Sequence, residues 1–297
     1  MTKNTIALFL ISILFACDKK SDIPETATSG TVKIAFDESF KSIIQQETTI
    51  FQYLYKQAFV KDTVLPQELA HQYLLKDSVK LIFSSRFLNN YENSYFKSRN
   101  VFPKTYVFAS YGLVILLNKN AKDSTYELSK LKDKFLNIGK PAVLVVDDSK
   151  GSALFLIVQL LGLQRNQLEN VYSAGSQSDV INYVSENEEA IGILPGTLIS
   201  DAESPAVQAL RKKVRIAKVS ASKNLPFYYP FQSEIADSLY PLINKIYIIS
   251  RESKMGTANG FASFLLGEKG QRIVLKAGLV PARMPGREVV LTKKDIR

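Results

Sequence analysis

The chain has 297 residues, 46% hydrophobic and 22% charged, a composition that suits a soluble globular protein longer than one hydrophobic core usually organises. Its formal net charge is +10, but Lys and Arg are dispersed and no element pairs basic density with interleaved aromatics, which argues against nucleic acid as a partner. One cysteine, Cys17, and one histidine, His71, exclude an intrachain disulfide and a Cys/His zinc site, and they leave almost no material for nucleophilic catalysis, so the expectation is a non-enzyme without a cofactor.

The N-terminus reads as an address. Residues 1–16 carry Lys3, an apolar run from Thr5 to Phe15, and then Ala16, which makes a signal peptide too short to span a bilayer comfortably. Leu14-Phe15-Ala16-Cys17 resembles the lipobox of bacterial lipoproteins, with Phe15 the one departure. Lipidated Cys17 would then hold the protein to a membrane, in the bacterial cell envelope, on the periplasmic side or the cell surface. A plain secretory signal with a stray cysteine is the alternative. Residues 17–30 are polar, carry Pro24 and read as a flexible tether, so the folded part is expected to begin near Thr31.

Thr31–Phe36 alternates as a strand, Asp37-Glu38-Ser39 interrupts, and Phe40, Ile43, Ile44, Phe51 and Leu54 recur at helical spacing. Gln67–Leu75 reads as a helix, and His71 reads as solvated on its polar flank. Val79–Phe83 is a strand, Ser84-Ser85-Arg86 a turn, and a polar helix starts near Asn90. Val101–Leu117 contains long buried strands, Leu128–Phe135 is a helix, and Pro141–Val146 is a buried parallel-type strand. The turn Asp147–Ser152 opens an apolar helix over Ala153–Leu163. Val171–Ser173 and Ala190–Pro195 read as strands around a helix at Ser178–Glu186, and Val214–Val219 reads as one further strand. The last elements are a strand over Tyr240–Ile249 and a helix over Gly260–Ala277. Such alternation calls for doubly wound α/β architecture.

Six segments taken in order resemble the phosphate-binding lipoproteins of bacterial phosphate ABC importers: Val32–Phe40, Leu81–Arg86, Asp148–Ser152, Ala190–Ile193, Tyr240–Leu242 and Gly278–Arg283. The resemblance implies a type II periplasmic-binding-protein-like fold, two doubly wound α/β lobes joined by two crossover hinge strands. Residues 31–116 and 247–297 would form lobe 1 and residues 117–246 lobe 2, with Gly112–Asn118 and Tyr240–Ile249 as hinge strands. A small anion, phosphate by the resemblance, would sit between the lobes and be handed to ABC importer membrane subunits.

Helix starts offer unpaired amides and a partial positive charge, and serine hydroxyls add rotatable donors. Three strand-to-helix turns carry that equipment, and in the resembling family these turns hold the ligand. The candidates are Ser39 with the Phe40 amide, Ser85 with Arg86, and Ser152 with the Gly151 and Ala153 amides. Singly, each serine serves equally as a helix cap, and Arg86 serves equally as half of a structural ion pair. The middle turn departs from the family's Ser-Gly-Thr, reading Lys150-Gly151-Ser152, and Leu154-Phe155 stand where an Arg is common, so Lys150 would supply a point charge in place of a fork. Phosphate at neutral pH keeps a proton, for which either Asp37 or Asp148 can act as acceptor. The alternative function is an interaction or sensing lipoprotein that keeps the fold with weak or no ligand binding.

Overall fold

The computed structural model describes residues 24–139, 142–168, 170–201 and 204–286, so the expected signal peptide and Cys17 lie outside the described residues. In chain order the elements are β1 (Ser29–Phe36), α1 (Lys41–Leu54), β2 (Gln57–Val64), α2 (Gln67–Leu75), β3 (Leu81–Ser84), α3 (Asn90–Ser98), β4 (Lys104–Asn118), β5 (Thr125–Glu127) and α4 (Leu128–Phe135). They continue with β6 (Val143–Val146), α5 (Ser152–Leu160), β7 (Val171–Ser173), α6 (Gln177–Glu186), β8 (Ala190–Pro195), α7 (Pro205–Lys213), β9 (Val214–Ile216) and β10 (Lys218–Ser220). The last are α8 (Gln232–Ala236), β11 (Ile243–Ser250), α9 (Thr257–Leu266), α10 (Glu268–Lys276) and β12 (Val280–Pro281). Among the described residues no helix is long and apolar enough to cross a membrane.

β4 organises the molecule because it belongs to two sheets. Its first half, through Gly112, pairs antiparallel with β11, and β3, β1 and β2 follow outward as one sheet. From Leu113 onward β4 pairs antiparallel with β8 and β9, and β6 and β7 extend this second sheet in parallel. The run Tyr111–Leu117 is buried without a break, since helices or neighbouring strands cover both of its faces. The chain crosses back at Tyr240–Leu242: Leu113 N donates to the Leu242 carbonyl at 2.8 Å, and Tyr240 Oη donates to the Leu113 carbonyl at 2.6 Å. Two α/β lobes joined by two crossovers are thus the observed architecture.

Several expectations are corrected. Residues 24–30 are not a free tether: Ser29 opens β1, its hydroxyl donates to the Pro24 carbonyl at 2.6 Å, and Thr257 Oγ1 donates to the Ser29 carbonyl at 2.8 Å. Strand β2 was not foreseen; it lies on the sheet edge with mostly exposed side chains, so apolar patterning is weak there. Val214–Val219 is two strands in two sheets: Ala217 N still bonds the Ile115 carbonyl of β4 at 2.9 Å, whereas Lys218 N turns to the Ser124 carbonyl ahead of β5 at 3.1 Å. Extended backbone at Gly267 (φ −77°, ψ 172°) divides the expected long C-terminal helix into α9 and α10. His71 is buried at 1% exposure, with Nε2 2.8 Å from Ser84 Oγ and Nδ1 3.2 Å from Glu92 Oε1. It packs beneath the Ser84–Arg86 turn, a placement that only the pairing of α2 and α3 against β3 determines.

Candidate functional site

Two of the three serine turns meet at the lobe junction. Ser39 lies in a 3-10 turn, Glu38–Phe40, that follows β1 in the first lobe. Ser152 is the first residue of α5, following β6 in the second lobe. Their hydroxyls are 3.1 Å apart, with 4% and 0% residual exposure. Phe40 anchors the first turn by setting its buried ring edge-on to Tyr111, with ring centres 5.8 Å apart, while its amide donates to the Asp37 carbonyl at 2.9 Å.

The Asp37 carboxylate sits between the two serines. It accepts from Ser39 N at 3.0 Å and from the Ser39 hydroxyl, and across the junction from Ser152 N at 3.2 Å and Ser152 Oγ at 3.3 Å. Helix α5 has no side-chain cap from its own flank, its N-cap being Gly151, so a carboxylate from the other lobe supplies one. Thr197 adds a second tie between lobes through its hydroxyl, which donates to the Ser39 carbonyl. Buried Gly151 and Ala153 flank Ser152, and the Gly151 amide donates to the Asp148 carbonyl at 3.1 Å.

The third turn faces another way. Ser85 donates through both N and Oγ to Gln67 Oε1, at 2.7 and 2.5 Å. Arg86 lays its guanidinium between two carboxylates, with Nη1 2.8 Å from Glu92 Oε2 and Nη2 3.1 Å from Glu68 Oε2. Burial alone would lower its pKa, but hydrogen bonds to Glu92 and Glu68 outweigh that and raise it. The ion-pair role weighed for Arg86 is the one it fills in this geometry. The turn still borders the cleft, because a cavity of about 460 Å³ is lined by Ser85 and Arg86 of the first lobe, by Asn244 of β11 and by Phe155 and Gln159 of α5 in the second.

Of the remaining candidates, Asp148 caps its own loop by accepting from Lys150 N at 2.6 Å, and Lys150 is exposed. The buried carboxylate of this turn is Asp147, at 4% exposure, which accepts from the Asp148 amide at 2.9 Å. Asp37, Asp147 and Asp148 together border a small cavity of about 150 Å³ at the junction. Sequence reading also passed over Tyr111. Its hydroxyl is fully buried and lacks a partner in hydrogen-bonding geometry, with Asn244, Ser85, Asp37 and Asp147 as its polar surroundings. Burial, then those nearby carboxylate charges, raise its pKa against the pull of Asn244 and Ser85. A hydroxyl-bearing residue at the head of the unbroken buried run Tyr111–Leu117 was the available signal.

Burial first, and the charge of Asp37 second, push Asp147 up to about 7. A raised carboxyl favours the neutral form in the folded protein. Its contribution is complete below the unfolded value of about 4 and is lost as pH rises through about 7. Asp147→Asn removes that loss, so the variant should gain on the order of 4 kcal/mol over wild type at pH 8 and less than half of that at pH 5. Urea unfolding at the two pH values measures this, and an equal difference at both would contradict it.

With this geometry in view, comparison with known proteins is specific about fold. A family model described as a PBP superfamily domain matches residues 23–269. No curated protein matches the chain. A Clostridium perfringens protein assigned as a phosphate ABC transporter substrate-binding protein, with phosphate bound, superposes with a TM-score of 0.70 at 16% identity, covering 86% of this chain and 100% of that one. An ABC-type phosphate transport receptor from Vibrio cholerae gives 0.66 at 15% identity, covering 85% and 100%. The CcmR regulatory domain of Synechocystis in complex with 2-PG gives 0.55 at 14% identity, covering 80% and 96%. At such identities these likenesses concern the fold alone.

Proposed function

This chain belongs to the PBP superfamily, and from that premise we propose that it is an exported, lipid-anchored solute-binding protein that takes a small oxyanion, phosphate in the first instance, into the cleft between its lobes for an ABC importer. The lobes would be residues 31–116 with 247–297, and residues 117–246, the anchor would be Cys17, and the role would be binding without catalysis. One observation carries the reading: hydroxyls from opposite lobes, Ser39 and Ser152, lie 3.1 Å apart beside a helix N-terminus and already share one bound oxygen, Asp37 Oδ1. Amides and hydroxyls that bind a carboxylate suit the oxygens of a tetrahedral anion equally. The phosphate-bound relative has the same fold, which supports the choice of ligand.

Titration calorimetry with phosphate and with sulfate tests this. Phosphate should bind, and Ser39→Ala and Ser152→Ala should each weaken it about tenfold or more, the effect of removing one buried donor. Heat from neither anion would sink the receptor reading. A second reading, a sensing lipoprotein with weak ligand binding, is favoured by one feature: Arg86, the cation best shaped for an oxyanion, is already paired with Glu68 and Glu92.

A further inference from the structure

The cradle contains a negative group before any ligand arrives. Asp37 accepts four hydrogen bonds, two from Ser39 in its own lobe and two from Ser152 in the other. At 3% exposure it is buried there, and it stands where an oxyanion bound to both serines would place its oxygens. Nothing positive among the candidate site residues balances it, since Arg86 is occupied elsewhere and Lys150 is exposed. A second buried carboxyl, Asp147, also lies at this junction. An incoming anion therefore meets donors already in use and charge of its own sign.

We propose that Asp37 is a built-in occupant of the cleft, holding the lobes together without ligand and setting which anions enter by competing with them for Ser39 and Ser152. This rests on the reading of the cleft as an oxyanion site. A receptor with an empty cradle relies on its ligand to bridge the lobes, and closes when the ligand arrives. Here the bridge is covalently part of one lobe, so closure precedes binding. Affinity is then the difference between two occupants of one donor set, and a weakly accepting anion cannot displace the internal carboxylate.

The test uses the purified chain with Cys17→Ser, spin-labelled through Lys61→Cys and Arg165→Cys, exposed positions in opposite lobes. Pulsed electron resonance without ligand should give one short inter-lobe distance for wild-type Asp37 and a longer, broader distribution for Asp37→Ala. Added phosphate should shorten the distance in Asp37→Ala and leave the parent unchanged. Calorimetry on Asp37→Ala and on Asp37→Asn, which keeps the shape without the charge, should show phosphate and sulfate binding at least tenfold tighter than in the parent. A parent already open without ligand overturns the proposal, as does phosphate binding that weakens in both Asp37 variants. If the distances behave as stated but no form binds either anion, the internal occupant stands and the phosphate reading falls.

Discussion

Arg86→Ala is expected to destabilise the fold by about 3–5 kcal/mol at pH 7, the usual consequence of removing one partner from a buried ion pair. All five guanidinium donors are in use: two to Glu68 at 3.3 and 3.1 Å, two to Glu92 at 2.8 and 2.9 Å, and one shared with the Phe87 carbonyl at 2.9 Å. Without them Glu92, whose side chain is 6% exposed, keeps only the Asn89 amide at 2.8 Å and the His71 ring at 3.2 Å. Burial alone would raise the Glu92 pKa, but Arg86, assisted by His71, holds it well below the usual carboxylate range. A depressed carboxylate contributes stability above its unfolded value of about 4.3 and loses it as pH falls further. The gap between Arg86→Ala and wild type should therefore shrink on acidification below about pH 4, because protonation relieves the variant and weakens the parent. Arg86→Lys should fall between them, keeping the charge and losing the fork. Urea unfolding at pH 7 and below pH 4 measures all three. An Arg86→Ala protein as stable as wild type that no longer binds phosphate would instead make Arg86 a ligand-contacting group.

That pair of carboxylates also shows where sequence reading stops. The alternation of strands and helices was legible because buried runs such as Leu144–Val146 and Leu113–Leu117 are continuously apolar, and the turns at Asp37–Phe40 and Asp147–Ser152 carry their polar residues in plain view. Both turns reach the junction, as strand ends at the crossing of two α/β sheets should. What periodicity cannot supply is the partner of each charged group. Glu68 and Glu92 sit on different helices, 18 and 6 residues from Arg86 in sequence, and only their packing against β3 brings both to one guanidinium. His71 was misjudged for the same reason, since Glu92 and Ser84 make its burial tolerable and neither is its neighbour in sequence. Asp37 was identified as a candidate acceptor for a ligand proton, whereas its two donors from Ser152 lie 115 residues away. Edge strand β2 and the short helix α8 escaped because little apolar surface marks them.

Gly196→Ala should be the more damaging of two glycine substitutions at the lobe junction, at about 3 kcal/mol, the upper end for inserting a methyl group into packed structure. Gly196 follows β8 directly and starts the 3-10 turn that carries Thr197 to the Ser39 carbonyl. A Cβ there runs into the carbonyl oxygen of Gly112, where β4 passes from one sheet to the other. That obstacle is backbone held in both sheets, so no rotamer change relieves it, and the lobes must shift or the turn must distort. Gly112→Ala meets softer neighbours: the Tyr240 ring at 3.0 Å and Pro230 Cβ at 3.1 Å, side chains that need yield only a few tenths of an ångström. Tyr240 is not entirely free to move, because its hydroxyl donates to the Leu113 carbonyl at 2.6 Å, so that variant should lose about 1–2 kcal/mol and not be neutral. Urea midpoints for the two proteins rank them. Equal losses, or the reverse order, would mean that the crossover yields more readily than the side chains around it.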